Sequence, residues 1–113
     1  MFSLSVKKIY FDAIKSGQKT VEGRINTPKY QDLKAGIDIL FFLEKTEEKI
    51  VCTITKLVTY TNFKDMLQKE GVETMLPGVT LIDDGIRLYE SFGNYKEEIK
   101  TYGALVIGIK RKN

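Results

Sequence analysis

Lys19, Glu22 and Arg24 fall within six residues of one another in the stretch GQKTVEGR, residues 17 to 24. In an extended chain, alternate side chains share a face. Thr20, Glu22 and Arg24 therefore line up as a hydroxyl, a carboxylate and a guanidinium. Val21, Gly23 and Ile25 point the other way, toward a core, with Gly23 marking a close approach. Lys19 precedes the strand, where strict alternation need not hold, and can lean over the polar row. Two readings follow. Glu22 and Arg24 form a surface ion pair worth little, or the row is a site. The chain has only three arginines, Arg24, Arg87 and Arg111, among 18 basic residues. Where lysine is the default cation, a mid-strand arginine suggests planar, bidentate recognition of a carboxylate, a phosphate or a base edge.

The residue inventory limits the chemistry. There is no histidine, which removes histidine-dependent triads and histidine metal sites. The single cysteine, Cys52, excludes an internal disulfide and a structural zinc site. It lies in the apolar run KIVCTIT and reads as a small buried hydrophobe. Asp83 and Asp84 are adjacent carboxylates without further ligands, and Asp83 suits the third position of a helix capped by Thr80. No metal or cofactor is expected. Proton transfer would fall to Lys, Glu, Asp, Tyr or Cys. A net charge of +3 permits a phosphate-bearing partner without demanding one.

These residues must be positioned by a single expected domain spanning residues 1–113, long enough to bury a core. It is 42% hydrophobic and 29% charged. No apolar run approaches the roughly 20 residues of a membrane span, and the N-terminus lacks a signal-peptide pattern. A cytoplasmic, membrane-free protein is expected, of unspecified oligomeric state. FSLSV reads as a first strand. Residues 6–16 read as an amphipathic helix capped by Ser5 and closed by Gly17. KTVEGRI is a strand, and TPKYQDLKAG a short helix with Pro28 at its first position. IDILFFL reads as a strand buried on both faces. IVCTITKLVTY alternates, with Ile50, Cys52, Ile54, Val58 and Tyr60 on one side, and these two strands suggest a hairpin. Four helical stretches follow: one capped by Asn62, a short turn ended by Pro77–Gly78, one capped by Thr80, and one opened by an Asn94–Glu97 capping box. ALVIGIK completes the chain as a central strand. The pattern predicts an α+β fold, a small, partly open β-barrel of about five strands with flanking helices and a helical insertion before the last strand. A flat sheet would expose its edges.

DAIKSGQKTVEGR resembles the signature of the ASCH domain family, G-x-K-x-x-E-x-R, here Gly17, Lys19, Glu22 and Arg24. LKAGIDILFF, FKDMLQKEGVETMLPGV and YGALVIGI resemble later segments of the family, so the resemblance covers essentially the whole chain. It implies a PUA-like barrel whose cleft is floored by the motif, and binding of RNA or nucleotides. Some small bacterial members hydrolyse acetylcytidine, using a lysine matching Lys19, a threonine at the position of Glu22 and a later glutamate, for which Glu70 is the candidate. This chain departs from them at Glu22.

Two functions are thus expected. In the first, an RNA- or nucleotide-binding module, Lys19 and Arg24 contact phosphate or a base edge and Glu22 accepts from an exocyclic amino group. Thr20 lies on the same face, and Tyr60, Tyr89 or Tyr102 stacks on a base. The alternative is a metal-independent amidohydrolase acting on an acylated nucleoside, with Lys19 or Glu22 moving protons and Glu70 as a further carboxylate. For each tyrosine the competing reading is core packing; for Glu70 it is a solvated helix end. A third option is an interaction domain presenting the helix TLIDDGIRLYESF.

Overall fold

The computed structural model describes residues 1–112. A five-stranded mixed sheet runs in the order β1-β3-β4-β5-β2. The strands are β1 (Phe2–Val6), β2 (Val21–Ile25), β3 (Asp38–Leu43), β4 (Lys49–Tyr60) and β5 (Ala104–Arg111). β1 pairs parallel with β3, and the other neighbours are antiparallel. The sheet curls into a half-barrel, with β1 and β2 as its two free edges. The helix α1 (Lys8–Ser16) and a single 3-10 turn, Pro28–Tyr30, accompany the early strands. The helices α2 (Phe63–Glu70), α3 (Val72–Met75), α4 (Ile82–Glu90) and α5 (Tyr95–Tyr102) intervene between β4 and β5. The α+β, PUA-like half-barrel with a helical insertion is the expected fold.

Two cores divide the sheet. Inside the curl, Leu4, Phe11, Ile14, Ile39, Phe41, Cys52, Ile54 and Ile107 are buried together. On the opposite face, at the β5–β2 end, Val21, Ile25, Ala104 and Val106 pack with Phe63, Met66, Leu67 and Tyr89 of the inserted helices. The alternation of β5 therefore feeds both cores, which explains why its sequence is apolar at almost every position.

Several local expectations need correction. β3 is buried on one face only: Ile39, Phe41 and Leu43 are buried, whereas Leu40 and Phe42 are half-buried. The side of β4 assigned to Ile50, Cys52, Ile54, Val58 and Tyr60 is split. A register irregularity between Ile54 and Lys56 inserts one residue, so Val58 and Tyr60 pack against the helical core instead. Such a bulge shifts the side-chain phase by one position. α1 starts after Lys7, not Ser5, and α4 after Leu81, not Thr80. Asn94 precedes α5 but makes no side-chain cap, whereas Asn62 accepts from the Asp65 N–H at 2.8 Å.

Candidate functional site

The motif places its lysine by a turn. Gly17 takes φ +86° after α1, a left-handed conformation suited to glycine, and its N–H returns to the Ile14 carbonyl at 3.1 Å. The Lys19 N–H then binds the Ala13 carbonyl at 3.0 Å. The chain is thereby reversed against the helix end, and the Lys19 side chain enters the protein. Only 2% of Lys19 and 7% of Glu22 remain exposed, so the pair is not a solvated surface bridge.

Lys19 Nζ donates to the Met75 carbonyl at the end of α3. It lies 3.3 Å from Glu22 Oε1 and 5.5 Å from the centre of the Tyr10 ring. Arg24 Nε and Nη2 both donate to Glu22 Oε2, at 3.2 and 2.9 Å. Nη2 also donates to the Ser5 carbonyl at 3.1 Å. Because Ser5 is on β1 and Arg24 on β2, this guanidinium ties together the two free edges of the half-barrel.

The electrostatics follow from burial and pairing. Burial pushes the Glu22 carboxyl up, but Lys19 and Arg24 together outweigh it and hold it below the usual carboxylate range. Burial lowers the Lys19 ammonium; Glu22 opposes this incompletely. Burial also disfavours the Arg24 charge, yet Glu22 raises its proton affinity overall. Two cations share one anion, leaving a single positive charge at the site.

A cavity of about 300 Å³ opens at this seam, at the small end of the range for small-ligand sites. Lys19, Glu22 and Arg24 line it together with Tyr10, Tyr89 and Tyr95. Lys7 lies at its rim, its ammonium 5.6 Å from the Phe92 ring centre. Gly23 also borders the cavity. A Cβ there would come within 2.7 Å of the Tyr89 hydroxyl and 2.8 Å of the Met75 methyl, which makes glycine necessary for this close approach. The aromatic wall is continuous. Phe63 stacks on Tyr89 at 5.2 Å, Tyr89 meets Phe92 edge-on at 5.7 Å, and Phe92 meets Tyr95 edge-on at 5.9 Å.

The structure thus brings together Lys19, Glu22, Arg24 and Tyr89 and leaves other candidates apart. Thr20 is exposed just before β2 and is absent from the cavity lining. Tyr60 and Tyr102 border a different groove with Asn26, Thr59 and Lys100. Glu70 does not line the cavity. Its carboxylate is taken by Lys56 at 2.7 Å and by the Tyr60 hydroxyl at 2.5 Å. Nor is it a solvated helix end, because its side chain is only 6% exposed. The Glu22 oxygens are already engaged by Lys19 and Arg24, which argues against their reading an exocyclic amino group. Asp84 is held by Arg87, and among the described residues no cluster of three His, Cys, Asp or Glu could hold a metal. Sequence reasoning missed Tyr10, Phe92 and Tyr95. The signal for the last two was present: Tyr89, Phe92 and Tyr95 recur every third residue across the break between α4 and α5.

This half-barrel with a charged seam is the architecture of an ASCH domain, and the family's profile matches residues 4–112. The chain belongs to the ASCH domain family. It is similar to a solved structure described as hypothetical protein PH0355, with 32% identity, 98% of each chain covered and a TM-score of 0.85. It is also similar to protein PF0455 from Pyrococcus furiosus, with 32% identity, 97% of this chain and 96% of that one covered, and a TM-score of 0.78. An ASCH protein from Zymomonas mobilis shares the fold at 18% identity and a TM-score of 0.66, over 96% of this chain and 65% of that one. No curated protein matches the chain. Among the described residues, no helix is long and apolar enough to cross a membrane.

Proposed function

We propose that the seam cavity binds a nucleotide or a residue of single-stranded RNA. The observation that carries this reading is a buried Lys19–Glu22–Arg24 cluster with one uncompensated positive charge, set under an aromatic wall. Surplus positive charge suits a phosphate-bearing ligand, and aromatic rings accept the face of a base. Lys19 and Arg24 supply the cationic floor, and Tyr10, Tyr89 and Tyr95 supply the walls. Glu22 holds the two cations in place.

The test is a titration of the full chain with a fluorescein-labelled single-stranded RNA at low and physiological salt. Affinity is expected to fall as salt rises, and Arg24→Ala to weaken binding about tenfold or more, the worth of charge-assisted hydrogen bonds. RNA binding that ignores both salt and Arg24→Ala refutes the proposal.

One observation favours a second reading, hydrolysis of an acylated nucleoside. Lys19 is buried with its proton affinity lowered, a condition under which lysine serves as a base. Incubation with acetylcytidine, followed by chromatography and controlled with Lys19→Ala, decides it: turnover that survives Lys19→Ala, or no turnover at all, removes the enzyme.

A further inference from the structure

The polarity of the site's unpaired hydrogen-bonding atoms says which kind of ligand edge it can receive. Arg24 has five N–H groups. Nε gives its one hydrogen to Glu22, and Nη2 serves Glu22 and the Ser5 carbonyl. Nη1 is left without a partner. No buried side-chain nitrogen or oxygen among the described residues lacks one, so Nη1 is not buried, and Arg24 lines the cavity. Both hydrogens of Nη1 are therefore available to a ligand, and a guanidinium cannot accept. The carboxylate that might have served as the complementary acceptor is turned inward on two cations. Lys19 directs its ammonium to Met75 and Glu22, and it too can only donate. The hydroxyls of Tyr10, Tyr89 and Tyr95 can donate or accept and adapt to either partner. The fixed groups of the site are thus donors alone.

We propose that the cavity selects ligands by an acceptor-bearing edge, taking keto-type bases such as uracil or guanine in preference to amino-type bases such as cytosine or adenine. Uracil, like thymine, presents O4, and guanine presents O6; cytosine and adenine present an amino group at the corresponding place. An amino group aimed at Arg24 Nη1 sets donor against donor and leaves both desolvated without a bond, a larger loss than a missing contact. This inference rests on the nucleotide-binding reading above, but it makes a narrower claim.

The experiment titrates the isotope-labelled full chain with UMP, GMP, CMP and AMP at one salt concentration and follows amide shifts by NMR. All four carry the same phosphate, so its contribution cancels. Shifts at Gly23, Tyr89 and Tyr95, with UMP and GMP bound about tenfold or more tightly than CMP and AMP, support the proposal. In Arg24→Lys, which keeps the charge but loses the planar fork, that preference is expected to collapse. CMP or AMP bound at those residues as tightly as UMP and GMP overturns the edge preference and leaves nucleotide binding standing. If none of the four nucleotides perturbs those residues, both readings fall. The wild-type comparison decides the matter even if Arg24→Lys does not fold.

Discussion

Replacing Glu22 with glutamine removes one charge and hardly any volume, and its cost can be worked from the geometry. The carboxylate lies 3.3 Å from Lys19 Nζ and 2.9 Å from Arg24 Nη2. At an effective dielectric of about 20, each contact is worth roughly 5 to 6 kcal/mol of gross attraction. The full sum will not be lost, because Lys19 has an escape: it can shed its proton. For a lysine with an ordinary pKa of about 10.4, deprotonation at pH 7 costs about 4 to 5 kcal/mol. That ceiling agrees with the roughly 3–5 kcal/mol found when a buried ion pair loses one partner. Glu22→Gln is thus expected to lose about 3 to 5 kcal/mol at pH 7, a large part of a typical domain's stability. The pH dependence gives the argument a second check. In the variant, folded Lys19 binds its proton less tightly than unfolded Lys19. Between those two affinities the unfolded chain holds more protons, so stability rises with pH. The gap to wild type should narrow from pH 7 to pH 9. The wild type itself should lose the Glu22 contribution as pH falls through the carboxylate range, because its folded carboxyl is shifted down. Urea unfolding followed by circular dichroism at pH 6, 7.5 and 9 measures all of this. A variant within about 1 kcal/mol of wild type at pH 7, or a gap that stays constant up to pH 9, would refute the claim that these charges interact in a desolvated interior.

Gly23→Ala should displace Tyr89 and Met75, which lie 2.7 and 2.8 Å from the added methyl position. An overpacking cost of about 1–3 kcal/mol should appear as a lowered Tm, together with weaker nucleotide binding; a variant unchanged in both would show that the close approach is not rigid. Tyr60→Phe removes the 2.5 Å hydrogen bond to Glu70 and should cost about 1–3 kcal/mol in urea unfolding while leaving RNA affinity unchanged. Loss of RNA affinity in this variant would move the functional site toward Glu70.

The strand order of types and the late helical insertion were legible because each element carries its own period and punctuation. Gly17, Pro28, Asn62, Gly71 and Gly103 lie at or next to element boundaries in the sequence and in the structure. The pairing of Lys19, Glu22 and Arg24 was also legible, because alternation along β2 is local. What surrounds them was not. The face carrying Glu22 and Arg24 is buried because β1 and the helical insertion close over it, and no local pattern encodes that closure. For the same reason Tyr60 was misjudged: the irregularity at Ile54/Lys56 moves the second half of β4 to the other face. The aromatic wall was obscured because Tyr10 reads equally well as a core residue of α1. Glu70 looked solvent-facing by position, but the bulge delivers Lys56 and Tyr60 to it.

The strand bearing Glu22 and Arg24 is made early, yet its only sheet neighbour is β5, at the other end of the chain. Until β5 arrives, β2 has no ladder to join, and the wall opposite Lys19 awaits helices that are themselves synthesised late. A ribosome-bound fragment ending before Ala104 would therefore carry the whole signature motif and no receptor. Competence for ligand is gained in one step near the end of translation, which shields the buried charges from premature encounters while the protein is still being made.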